Sequence, residues 1–167
     1  MTIGLISDTH GYLDPKVRSY FESCDEIWHA GDFGTLQVLQ SLESIRPTFG
    51  VYGNADGQDI RIRCPKELWL NRSGVRVLMT HIAGRPGRFN RQVKSMLESS
   101  PPDVLICGHS HILKVMKDPV FNDMLYINPG AAGRQGFHHI KTIMRLTFDK
   151  GKVTNLEVIE MGKRGSI

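Results

Sequence analysis

Apolar residues fall in short runs along this chain, and each run stops at a small or polar residue. Residues 2–7 alternate and are rich in Ile and Leu, which predicts a first strand ending at Ser7. Pro15, followed by Val17, Tyr20, Phe21 and Cys24 at near-helical spacing, predicts a short helix. Ile27-Trp28-His29-Ala30 reads as a second buried strand halted by Gly31-Asp32. Leu36, Leu39, Leu42 and Ile45 share one face of a helix from about Thr35 to Ser44. Thr48 to Tyr52 is a third strand, closed by Gly53-Asn54. Strands alternating with helices in this way indicate a parallel α/β sheet. Region 57–74 is less regular, and Leu68-Trp69-Leu70 with Val75 to Met79 predicts a hairpin across Asn71 to Gly74. Phe89, Val93, Met96 and Leu97 mark a helix that stops before Pro101-Pro102, and Val104 to Cys107 is a further buried strand. Segments 112–117, 124–127, 141–148 and 152–159 read as strands, predicting a mostly antiparallel C-terminal half packed on the first as a second sheet. Residues 162–167 are expected to form a frayed tail.

At 167 residues the chain is expected to form a single domain, spanning 1–167, with a core that needs no staples. Lys and Arg number 21 and Asp and Glu 17, a net +4 that suits an anionic partner such as a phosphate. Charged residues at 23% and hydrophobics at 40% mark a globule rather than a disordered chain. No apolar run approaches the roughly 18 residues of a membrane helix. The opening segment lacks a basic stretch and meets Asp8 too early for an export signal. Cys24, Cys64 and Cys107 are odd in number and widely spaced, so free thiols in a reducing cytoplasm are expected.

The polar residues that end the buried strands carry the chemistry. They are Asp8-Thr9-His10, Gly31-Asp32, Gly53-Asn54-Ala55-Asp56, Thr80-His81 and Gly108-His109-Ser110-His111. Taken singly each has a plainer reading: a turn for Gly-Asp, a core imidazole for His81. Five such motifs, each at the carboxyl end of a strand, converge if the strands lie side by side. Two aspartates, an asparagine oxygen and four imidazoles suit Mn²⁺, Fe, Zn²⁺ or Ni²⁺ better than Ca²⁺ or Mg²⁺. Seven donors exceed what one tetrahedral ion takes and match two ions sharing a carboxylate.

This ordered set resembles the calcineurin-like metallophosphoesterases, and more closely their small bacterial and archaeal phosphodiesterase branch, the YfcE-like group. The likeness runs from Asp8 to His111 and extends to Asn128-Pro129-Gly130-Ala131. It implies a two-sheet αββα sandwich with mixed sheets. It also implies two divalent metal ions, Mn first. Asp8, His10, Asp32 and His111 would hold one ion. Asp32 as the bridge, with Asn54, His81 and His109, would hold the other. The implied reaction is phosphodiester hydrolysis by a metal-bridging hydroxide, and Asp56 would support the asparagine loop from behind.

The sequence departs from the pattern twice. Ala55 stands where many members carry the histidine that protonates the leaving group. His138 and His139 are alternative donors, with two surface histidines as the plainer reading. Thr80-His81-Ile82 lacks the second histidine common in the branch. Arg85, or Arg88, offers a guanidinium to substrate phosphate, against the commoner fate of a solvated basic face. The reading is therefore an enzyme acting on a small phosphorylated substrate. Its rival is a Vps29-like protein-interaction scaffold. A nuclease lacks support, since no aromatic platform interleaves with a basic stripe. Exposed Trp69 and Phe137 would leave room for a homo-oligomer.

Overall fold

The computed structural model describes residues 1–165. Two five-stranded sheets lie face to face with helices on their outer sides. In the first sheet β1 (Thr2–Ile6), β2 (Glu26–His29) and β3 (Thr48–Gly50) run parallel. β11 (Ile140–Asp149) pairs antiparallel with β1, and β12 (Lys152–Lys163) antiparallel with β11. The second sheet has the order β4 (Glu67–Arg72), β5 (Val75–Thr80), β8 (Val104–Ile106), β10 (Met124–Pro129), β9 (Leu113–Asp118). Within it β5, β8 and β10 are parallel, flanked by antiparallel β4 and β9.

The period-2 pattern explains this layering. Ile3 and Leu5 of β1 turn inward with Trp28, Val77, Ile106, Ile127 and Leu146 to fill the space between sheets. The alternate residue Ile6 faces α1 (Val17–Phe21), α2 (Leu36–Glu43) and α3 (Gln58–Arg63) through Phe21, Leu39 and Ile60. Leu78 and Leu105, on the outer face of the second sheet, pack under Val93 and Leu97 of α4 (Arg91–Ser99). Asn90 caps that helix by accepting a hydrogen bond from the Val93 N–H at 2.9 Å.

The sandwich is the expected one, and the apportioning of strands differs from the sequence reading. The C-terminal half is not a sheet of its own: β10 joins β8 in parallel, and β11 and β12 return to extend the first sheet beside β1. Periodicity identifies strands without saying which neighbour each will meet. Helix α3 and the small hairpin of β6 (Gly84–Arg85) and β7 (Arg88–Phe89) were not foreseen, and Phe89 belongs to the hairpin rather than to α4. A tail was expected from residue 162, but β12 runs to Lys163 and the Arg164 N–H donates to His139 O. Residues 166 and 167 lie outside the described residues. The three cysteines are free and buried. Trp69 and Phe137 are exposed, as expected.

Candidate metal centre

The tips of the parallel strands of both sheets meet at one edge of the sandwich, and the backbone there is unusual. Asp8, His10, Asp32, His109 and His111 all take positive φ, between 47° and 67°. Such conformations cost about 1–3 kcal/mol each for residues other than glycine and persist only where the surroundings impose them. Here each strand ends abruptly, so the chain turns back and drops its next polar side chain into the space between the tips. Two glycines make the close approach possible. A Cβ on Gly53 would strike the Asp32 carboxylate, and one on Gly108 would strike Ser7 Oγ.

Each aspartate has one oxygen held chiefly by protein donors and the other turned towards imidazoles, although the His109 N–H also reaches Asp8 Oδ1 at 3.3 Å. Asp8 Oδ2 accepts from Ser7 Oγ at 2.6 Å and from the His109 N–H at 3.1 Å. Asp8 Oδ1 stands 3.2 Å from His111 Nε2, 3.9 Å from His81 Nε2 and 4.0 Å from His10 Nε2. Asp32 Oδ1 accepts from the Ala55 N–H at 2.8 Å. Asp32 Oδ2 stands 3.2 Å from His81 Nε2 and 3.9 Å from His10 Nε2. Two groups of donor atoms result: Asp8, His10 and His111, and Asp32, His81 and His109, each within 4.8 Å of one another. Asp32 Oδ2 and Asp8 Oδ1 each face histidines of both groups.

These donors suit divalent cations. His81 Nδ1 lies 2.8 Å from Ala30 O, and since a carbonyl only accepts, Nδ1 carries the proton. That leaves Nε2 as a buried nitrogen with no hydrogen-bond partner, pointed at the carboxylates. His10 and His111 bring their Nε2 atoms within 3.2 Å of each other. Lone pairs gathered this closely repel unless a cation or proton lies among them. Burial pushes the His81 pKa down, but Asp32 and Asp8 outweigh it, and the net shift is upward. Burial likewise raises the Asp32 carboxyl, and His81, the Ala55 N–H and His10 bring it below its usual range. Burial, then the neighbouring His81, lowers His109.

The remaining predicted residues fall as follows. Asn54 lines a cavity of about 330 Å³ together with Gly53, Thr80 and His81. Asp56 is buried and accepts three backbone N–H groups, those of Asp32 (3.0 Å), Gly53 (2.8 Å) and Gly34 (2.8 Å). One carboxylate thereby fastens the asparagine loop to the aspartate turn. Arg85 lies outside the donor groups, on an exposed hairpin lining a second cavity that His109 also lines. His138 comes to the centre, its ring 5.3 Å from that of His111, whereas His139 is exposed. His138 Nε2 donates to Gly133 O at 3.1 Å, and its Nδ1 is buried without a partner.

Two further residues support the centre: His29, which the sequence reading did not single out, and Asn128, which it placed in the extended resemblance without a role. His29 is fully buried, accepts the Gly31 N–H on Nδ1 at 3.1 Å and gives Nε2–H to Thr9 Oγ1 at 3.0 Å. It stacks on Phe33 at 3.6 Å, and burial drives its pKa down to about 3, so the ring is neutral. Asn128 donates from Nδ2 to Gly108 O and Ser110 Oγ, bracing the His-Ser-His turn. A histidine inside an apolar strand is the one signal that singles out His29.

The arrangement has relatives among known proteins. The chain is 31% identical over 136 residues to a probable metallophosphoesterase of Methanothermobacter thermautotrophicus, covering 78% of this chain and 77% of the relative. It is 30% identical over 151 residues to a phosphodiesterase of Methanocaldococcus jannaschii, covering 78% and 83%. Among solved structures, one described as a novel archaeal phosphodiesterase superposes with a TM-score of 0.77 at 25% identity, over 96% of this chain and all of that one. Zinc-bound Vps29 from Entamoeba histolytica shares the fold, with a TM-score of 0.72 at 14% identity over 99% of this chain and all of that one. The family model of the calcineurin-like phosphoesterase superfamily domain matches residues 1–151, so this chain, whose strand tips gather carboxylates and imidazoles in that manner, belongs to that superfamily.

Proposed function

We propose that the protein is a dinuclear metal-dependent phosphodiesterase. Asp8, His10, Asp32 and His111 would hold one divalent ion, and Asp32, Asn54, His81 and His109 the other, with Mn²⁺ first and Fe, Zn²⁺ or Ni²⁺ as alternatives. The observation that carries the reading is the inward convergence of His81 Nε2, His10 Nε2 and His111 Nε2 on the free oxygens of Asp8 and Asp32. When bound, such an ion pair supplies a deprotonated water near neutral pH and positive charge for the phosphoryl oxygens.

The chain's own groups do the rest. Ala30 O fixes the His81 tautomer, so the lone pair faces inward before any ligand arrives. Ser7 occupies Asp8 Oδ2 and the Ala55 N–H occupies Asp32 Oδ1, which aims the other oxygen of each, while the His109 N–H spans both Asp8 oxygens. Asp56 keeps Asn54 and Asp32 in register. Arg85 is assigned to a phosphoryl oxygen of the substrate. His138 is a poor proton donor to the leaving group, because burial lowers its pKa and its Nε2–H is already given to Gly133 O. A diester whose leaving group is stable as an anion fits that lack of a donor and the alanine at position 55. The buried thiols suit the reducing cytoplasm.

The test is hydrolysis of bis(p-nitrophenyl) phosphate with added Mn²⁺. Activity should require the metal and vanish in Asp32→Ala and His81→Ala proteins that keep the wild-type circular dichroism. Metal-independent turnover, or full activity in either variant, would overturn the proposal.

A further inference from the structure

The cavity beside His109 has a charge pattern that the chemistry at phosphorus does not use. It measures about 590 Å³, within the range of small-ligand sites, and lies between the β6–β7 hairpin and the start of β9. Arg85 and Arg88 line one side and Lys114 the other, and no Asp or Glu lines it. Arg63, Arg72, Arg145 and Lys141, by contrast, pair with Glu43, Glu26, Glu157 and Asp14. In the neighbouring cavity at Asn54, Lys66 pairs with Glu67 at 3.8 Å and Arg61 donates to the Asp56 and Gly53 carbonyls. Arg85, Arg88 and Lys114 make no ion pair among the described residues, although Lys114 is half-buried on β9. Three positive side chains around one cavity with no acidic side chain in its lining draw an incoming anion by direct attraction.

The walls are held in place. Tyr126 Oη donates to Gly84 O at 2.9 Å and ties the hairpin to β10, and Asn90 Nδ2 donates to Ile82 O at 2.6 Å. Ile82 and Ile112, both exposed, offer apolar faces at the rim.

Charge counting then selects the ligand. A phosphodiester carries one negative charge, and the donor groups together with Arg85 suffice for it. Arg88 and Lys114 remain. We propose that this cavity is a second anion subsite, which receives an ester arm of the substrate that itself bears a phosphate. The inference rests on the phosphodiesterase reading for the word substrate, but the subsite is defined by residues outside the donor groups apart from His109. The substrate class is therefore a diester with a phosphorylated organic arm of nucleotide size, rather than a simple monoanionic diester.

Two measurements separate the subsite from the reading beneath it. Calorimetric titration of the Mn²⁺-loaded protein should show thymidine 3′,5′-bisphosphate binding about tenfold or more tighter than thymidine 5′-monophosphate, a difference of about 1.4 kcal/mol. The advantage should shrink to within about twofold in the Arg88→Gln/Lys114→Gln protein, as the lost charge-assisted contacts predict. With Mn²⁺ present, the p-nitrophenyl ester of thymidine 5′-phosphate should be hydrolysed with a lower KM when it carries a 3′-phosphate, and that preference should also disappear in the double variant. Equal affinity of the wild type for the two nucleotides, or a preference that survives the double substitution, overturns the subsite. A charge-dependent preference in binding without hydrolysis of either ester upholds the subsite and removes the phosphodiesterase reading. Hydrolysis of both esters with equal KM and equal binding does the reverse.

Discussion

Asp56 is where the fold and the chemistry meet, and Asp56→Asn puts a number on that link. Its carboxylate accepts the Asp32 and Gly53 N–H groups on Oδ2 and the Gly34 N–H on Oδ1. An asparagine of the same shape has one acceptor oxygen. Placed where Oδ2 was, that oxygen keeps two bonds, now neutral rather than charge-assisted. Its NH₂ then confronts the Gly34 N–H, donor against donor. The lost bond costs about 1.5–3 kcal/mol, and weakening the other two about 1 kcal/mol each, so the fold should lose about 3–5 kcal/mol. At about 2–4 °C per kcal/mol for a domain of this size, the Tm should fall by about 6–20 °C. Urea denaturation at fixed pH, with an unchanged m-value, measures the free energy directly. Because the same substitution loosens the Asp32 turn, calorimetric Mn²⁺ affinity should fall about 10–100-fold, the usual effect of removing a group that orients a ligand. A loss below about 1 kcal/mol with unchanged Mn²⁺ affinity would mean the three bonds do not act as a clamp, and the account of how this loop is positioned would be refuted.

Further outcomes follow from the same geometry. Mn²⁺ at about 100 times its Kd should stabilise the wild type by about 2.7 kcal/mol, and a thermal melt should show no such gain in Asp32→Ala. His29, held near 3 in the fold against 6.5 when unfolded, binds its proton more readily in the unfolded chain. Its contribution to stability is therefore complete above the unfolded value and declines as pH falls towards 3, by about 2 kcal/mol at pH 5. His29→Gln should flatten the decline in urea stability between pH 7 and pH 5 by that amount, and parallel curves would exclude the linkage. The raised His81 pKa acts with the opposite sign, its contribution being complete below the unfolded value and lost as pH rises, but it is common to both proteins and cancels in the difference. His138→Ala should leave the alkaline limb of the pH–kcat profile in place, whereas loss or a shift of that limb would restore His138 as the proton donor. Lys141→Met leaves the Asp14 carboxylate with only Tyr12 and the Lys16 N–H, and should cost about 2–3 kcal/mol in urea denaturation.

The strands and most of the helices could be read from the chain because burial imposes a period, two for Ile3 and Leu5 in β1 and near 3.6 for Leu36, Leu39 and Leu42 in α2. The donor residues could be read for a related reason. Polar groups directly after buried apolar runs have few roles, and Asp8, Asp32, His81 and His109 all occupy such positions. Helix α3 was obscure because only Ile60 of Gln58–Arg63 is buried, which leaves no periodic signal. The β6–β7 hairpin is too short to carry one.

Other features exist only in three dimensions. Nothing local says that β10 lies beside β8 or that β11 returns to β1, since pairing is a long-range packing choice. Nothing local turns Asp8, His10, Asp32, His109 and His111 into the left-handed region, because the partners that impose it come from other strands. His138 is 27 residues beyond His111, and only the fold lays one ring against the other. The chain by itself determined most of the elements and which side chains offer donor atoms at the strand ends, because both follow from what each residue does with water. Tertiary structure alone decided which lone pairs face one another and which cations stay unpaired, because an electrostatic interaction depends on distance through space rather than along the chain.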